Sequence, residues 1–219
     1  MGGVLRNASQ RTPDTMARSL KVNVLTAIAK TRRGEPGYSA GVIVEAVEKL
    51  EKYQVLNPPN DGWISSLDGR WSLVYSTRAE SSKLTPPTAL ASAIDRFSSA
   101  LYKIFFRFLP FLAGSSGADE NSGSAIASNT QEINLSVGTI VNTVKVSKPL
   151  SLTIVVKGEV CISPRSSRDT VDVVFTSCQF NSIVVPLPRP KGSLRTTVLV
   201  DELRVGRGGQ GGLFIVKRI

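Results

Sequence analysis

Between Gly69 and Thr77 the large residues Trp71, Leu73 and Tyr75 alternate with the smaller Ser72, Val74 and Ser76. A period of two is the signature of a β-strand with two unlike faces. Gly69, lacking a Cβ, lets the chain turn sharply and pass close under the indole of Trp71. Upstream the period lengthens. Leu20, Val24, Leu25 and Ile28 recur at helical spacing as far as the Arg32-Arg33-Gly34 break before Pro36. Val42, Ile43, Ala46, Val47 and Leu50 make one apolar stripe of a second helix, with Glu45, Glu48, Lys49 and Lys52 on its other side and Ser39 placed to cap it. That helix stops before the rigid Asn57-Pro58-Pro59 turn.

Downstream, Leu90, Ile94, Phe97, Leu101, Phe105, Phe108 and Leu112 share one helical face, and Arg96, Lys103 and Arg107 gather opposite. This basic amphipathic insertion, 88–112, is too rich in charge to span a membrane, and Pro110 kinks or ends it. It suits either an ordinary helix packed on a barrel or one lying in a lipid surface, where Arg96, Phe97, Lys103, Phe105, Arg107 and Phe108 make the contact. Residues 114–130 turn to Gly, Ser, Ala and Asn and read as a flexible loop. Strands then follow over 131–137, 139–146, 150–162, 170–180, 182–185, 196–203 and 213–218, separated by Gly, Pro and Ser turns. With the first strand this makes about eight, a number that closes an antiparallel barrel with room for one small apolar ligand. The pattern thus predicts a mainly β (α+β) chain, helical over 20–60 and barrel-forming over 67–219, behind a basic segment 1–19.

Composition sharpens this picture in three places. The net charge of +10 favours anionic partners such as lipid head groups, nucleic acid or an acidic protein. Arg6, Arg11, Arg18, Lys21, Lys30, Arg32 and Arg33 stand against a lone Asp14 in the first 33 residues, a balance that fits the remnant of an organelle transit peptide. The chain has no histidine, which removes histidine general acid/base chemistry and nearly all catalytic zinc designs. Its two cysteines, Cys161 and Cys178, are predicted to stay reduced and buried, since a hairpin turning near Ser166 sets Cys178 opposite a residue near Thr153 and leaves Cys161 out of disulfide reach.

Several motifs fail on context. Gly206-Arg207-Gly208-Gly209-Gln210-Gly211 satisfies G-x-G-x-x-G, but no helix follows it and no acidic residue stands some twenty positions on, so a glycine-rich hairpin is predicted instead of a dinucleotide site. Asp201 and Glu202 are adjacent, so within a strand they point to opposite faces and form no carboxylate pair, although one of them should turn to the interior or the rim near Arg204. Aromatic residues concentrate in the amphipathic segment and are not interleaved with basic residues on a sheet face, which argues against nucleic acid.

The G-x-W of Gly69-Arg70-Trp71 resembles the opening strand of lipocalin-like barrels, and with its flanks, Leu67 to Ser76, it resembles the L-x-G-x-W-x-L-x-Y-x-S signature of the plastid lipid-associated protein (PAP)/fibrillin family. Leu50-Glu51 and Asn57-Pro58 upstream, Gln131-Glu132-Ile133 and Asn142-Thr143-Val144 in the middle, and Asp201-Glu202-Leu203-Arg204-Val205-Gly206-Arg207-Gly208 with Leu213-Phe214-Ile215-Val216 at the end extend the resemblance over most of 20–219. Val200 stands where the family commonly has an acidic residue, and the glycine run over 208–212 is unusually long. The resemblance implies a lipocalin-like barrel that binds or organises carotenoids, quinones or acyl lipids in plastids, at thylakoids or plastoglobules, with no catalytic residues, no cofactor and no metal. Trp71, Leu73 and Tyr75 are the expected lining, with Glu202 and Arg204 at the lining or rim. The alternative is an accessory protein or enzyme of isoprenoid or acyl-lipid metabolism that uses the barrel as its pocket and Glu202 as an acid/base group.

Overall fold

The computed structural model describes residues 13–58, 65–77, 126–146, 151–163, 169–208 and 212–219. It divides into two compact units, Met1–Pro58 and Pro59–Ile219. The predicted insertion 88–112 lies outside the described residues, so its residues 96, 97, 103, 105, 107 and 108 are not placed.

The first unit is a helical hairpin. Helix α1, Pro13–Arg32, begins ahead of the predicted Leu20, because Pro13 suits a first turn whose amides need no partner. It ends where the sequence predicts. Gly34 adopts φ +65°, its amide donates to the carbonyl of Thr31 and that of Glu35 to Lys30, the paired bonds that close a helix with a left-handed glycine. Helix α2, Ala40–Leu56, buries Ile43, Val47, Leu50 and Gln54. Ser39 holds the N-cap position in extended conformation, but its side chain makes no capping bond; its carbonyl instead accepts from the amides of Val42 and Ile43.

The second unit is an antiparallel sheet that closes on itself. After a single 3-10 turn, Ser65–Leu67, come β1 (Gly69–Ser76), β2 (Ile126–Asn134), β3 (Thr139–Val146), β4 (Leu152–Ile162), β5 (Thr170–Phe180), β6 (Ile183–Pro186), β7 (Lys191–Val200), β8 (Leu203–Gly208) and β9 (Leu213–Arg218). Pairing runs β1-β2-β3-β4-β5-β7-β8-β9 and returns to β1, giving a closed eight-stranded barrel with β6 outside the ring. β6 and β7 share one edge of β5, at Ser177–Phe180 and Thr170–Val174 respectively. Pro186 ends β6, and the interruption between the two strands holds Pro188 and Pro190, which lack the amide a ladder requires.

Several boundaries differ from the sequence reading, among them the start of β7 at Lys191, ahead of the predicted 196. β2 starts at Ile126 and takes in residues predicted as loop; Asn129 and Thr130 pair with Val144 and Thr143, and the ladder overrides their weak strand preference. The predicted strand 196–203 is divided by a turn at Asp201-Glu202, with Asp201 at φ +49°, a conformation that Asp tolerates better than most residues. Gly206 and Gly208 belong to β8, which pairs antiparallel with β9 as a hairpin requires; the rest of the G-x-G-x-x-G run, 209–211, lies outside the described residues.

Strand pairing brings residues from distant strands to one interior. Trp71, Ile133, Ile140, Val160, Val171, Val173 and Val216 form one buried cluster with Leu67 beneath them, and Val144, Ile154, Val156 and Cys178 form a second; Phe175 packs against both. The cysteines do not pair. Cys178 is buried as predicted, whereas Cys161 is exposed: the register sets Cys178 opposite the buried Val156, and Cys161, five residues along β4 from Val156, falls on the other face opposite Asp172. Burial pushes the Cys178 thiol up to about 11. Native protein at pH 8 is therefore expected to react with a thiol reagent once, quickly, at Cys161, and a second time only on unfolding; two fast thiols would contradict this interior position.

Candidate functional site

Inside the barrel the polar side chains collect around Trp71. Its ring is fully buried, and its Nε1 donates to the carbonyl of Leu67 at 2.9 Å. Two guanidinium groups lie against it, with Cζ of Arg204 at 4.7 Å and Cζ of Arg218 at 4.4 Å from the ring centroid. Each contact is within cation–π range. Arg218 also donates from Nη1 to the carbonyl of Asp68 (2.7 Å) and from Nη2 to that of Ser66 (2.6 Å), while the Asp68 carboxylate accepts from the amide of Leu135 (2.6 Å). These bonds tie the segment before β1 to the last strand and close one end of the barrel.

Gly69 makes that closure possible. Its φ is +125°, and a Cβ added there would stand 2.5 Å from Nη1 of Arg218. The chain does pass close to a side chain here, but the group approached is the guanidinium of Arg218 on the last strand and not the expected indole of Trp71, because strand pairing sets Arg218 opposite Trp71.

Arg204 is the unusual residue of the interior. It is only 2% exposed, and its Nη2 donates to Oε1 of Gln131. Gln131 in turn donates from Nε2 to Oδ1 of Asn142 at 2.9 Å. Nη1 of Arg204 is buried with no hydrogen-bond partner. Desolvation first, and the like charge of Arg218 second, lower the guanidinium to about 9, so it remains a cation at neutral pH. Gln131 and Asn142 did not stand out as site residues in the sequence, yet a signal was there: each falls in phase with the apolar inner positions Ile133, Ile140 and Val144, and so places an amide on the face that should be apolar.

The five residues expected at the lining or rim separate. Trp71 and Leu73 face the core together with Val216. Tyr75 does not continue their alternation: an extra residue, Val74, lies between the pairs Leu73–Val216 and Tyr75–Ile215, which turns Tyr75 to the face of Ile215 and leaves Ser76, 1% exposed, opposite Phe214. Glu202 is exposed in the β7–β8 turn and stands 3.6 Å from Nζ of Lys217. The predicted inward carboxylate beside Arg204 is therefore not found at Asp201 or Glu202, and Gln131 takes its place. Among the described residues there is no cluster of metal-ligating side chains and no helix long and apolar enough to cross a membrane.

A closed eight-stranded antiparallel barrel, with apolar walls and a Gly-x-Trp strand locked to its last strand by arginine, is lipocalin-like in class. The PAP_fibrillin family model matches residues 18–217, and the chain belongs to that family of plastid lipid-associated proteins. Comparison with curated proteins and with solved structures gives no match.

Proposed function

We propose that this protein binds an apolar lipid within its barrel, without catalysis, and serves at plastid lipid surfaces such as plastoglobules or thylakoids. The observation that carries the reading is the interior itself: two apolar clusters joined by Phe175 and interrupted by one set of fixed polar groups, in a ring of eight strands whose size suits a single small ligand. Family membership supports the lipid and the plastid setting. The non-catalytic reading is supported by Glu202, the proposed acid/base group, which stands on an exposed turn away from the interior. Surface attachment is assigned to 88–112, where the Phe side chains supply the larger part of the binding and Arg96, Lys103 and Arg107 add about 1 kcal/mol each near anionic lipid.

Flotation with anionic liposomes containing carotenoid, quinone and acyl lipids, followed by extraction of the re-isolated protein, tests this. The protein should float and retain one of these lipids unchanged. A Phe105→Ser, Phe108→Ser variant should stay at the bottom of the gradient and still retain lipid delivered from detergent. Retention of nothing would overturn the barrel reading, and a chemically altered lipid would overturn the non-catalytic one.

A further inference from the structure

We infer that Arg204 marks a head-group subsite for a carboxylate, so that the ligand of this barrel is a long-chain acyl acid. The inference rests on the lipid-binding reading above and narrows it to one chemical class. A buried cation is costly unless an anion or a full set of acceptors meets it. The surroundings of Arg204 supply a ring face, one neutral amide oxygen and a second cation, Arg218. None of the described carboxylates pairs with it, and Nη1 is left without an acceptor. A guanidinium fork recognises a carboxylate better than any uncharged oxygen, because the charge-assisted bonds are about twice as strong. Carotenoids, quinones and esters bring no negative charge to this place.

The position of the fork also says where the chain goes. Gln131, which fixes Arg204, is joined to Asn142, and Asn142 lies in phase between Ile140 of the first apolar cluster and Val144 of the second. Toward the first cluster the barrel is closed by Leu67, Trp71 and the carbonyl bonds of Arg218. Toward the second, Val144, Ile154, Val156 and Cys178 are buried while Val146, Leu152 and Phe180 are half-buried. A hydrocarbon tail anchored at Arg204 extends along that second cluster.

Equilibrium dialysis of the delipidated full chain against oleate, methyl oleate and β-carotene, each below its aggregation limit, tests the assignment. Oleate should bind at least about tenfold tighter than its methyl ester, the ratio expected when one charge-assisted pair is gained. Arg204→Gln should lower oleate affinity by about the same factor and leave methyl oleate unchanged. Arg195→Gln, at the exposed pair with Asp169, should alter neither. Equal affinity of the wild-type chain for acid and ester overturns the assignment without any variant, as does undiminished oleate binding by Arg204→Gln. If ester or carotene binds as tightly as oleate, only the head-group assignment falls; if none of the three binds, the lipid-binding reading falls with it.

Discussion

Trp71→Ala is expected to destabilise the protein by about 3–5 kcal/mol, the range for removing a large aromatic ring from a packed core. The upper part of that range applies here. The ring is fully buried and packs in the cluster that spans the barrel, and the guanidinium carbons of Arg204 and Arg218 lie 4.7 and 4.4 Å from its centroid. Alanine leaves a cavity and removes the ring face against which both cations lie. Urea unfolding followed by far-UV circular dichroism should show a lower midpoint with an unchanged slope. Arg195→Gln is the control: its pair with Asp169 is largely exposed on the arginine side, and the change should stay within about 1 kcal/mol. A loss below that level for Trp71→Ala would mean that the interior repacks around the vacated space, and that Trp71 does not hold the barrel closed.

Gly69→Ala should cost nearly as much, about 3 kcal/mol, although it removes no contact. Roughly 1–3 kcal/mol comes from forcing a side chain into φ +125°, and about 1 more from displacing the guanidinium of Arg218 from its carbonyl partners. The two parts can be separated. In an Arg218→Ala background the steric part disappears and the backbone part remains, so the double-mutant cycle should show a coupling of about 1 kcal/mol. Gly34→Ala, at φ +65° with nothing within 4 Å, should cost only the left-handed backbone penalty of about 1–2 kcal/mol. Equal losses at Gly34 and Gly69 would show that the approach of Arg218 is not what selects glycine at 69.

The sequence was most informative where a single element declares itself. The period of Val42, Ile43, Val47 and Leu50 marks α2, the Gly34 break ends α1, and Gly69-Arg70-Trp71 opens the barrel, because helix stripes, left-handed caps and close passages impose residue types locally. The candidate site was legible only in part. Trp71, Leu73 and Arg204 could be named from alternation and resemblance, but the arrangement around Arg204 could not. Its partner Gln131 is 73 positions away in sequence, and the expected carboxylate at 202 was lost to a turn that two acidic residues do not advertise.

By itself, then, the sequence determined the order and kind of the elements, the antiparallel succession of strands and the glycine at which the chain makes its close passage, but not the side chain, Arg218, that it passes. The tertiary structure decided closure, through the pairings of β1 with β9 and β4 with β5, and it decided which side chains look inward. The reason is parity. Each strand has two faces, one extra residue exchanges them, and the bulge at Val74 therefore sends Tyr75 out and Ser76 in without any change in local composition. Only the neighbouring strand fixes where that extra residue falls, and only the closed ring brings an arginine of β8, a glutamine of β2 and a tryptophan of β1 around one point.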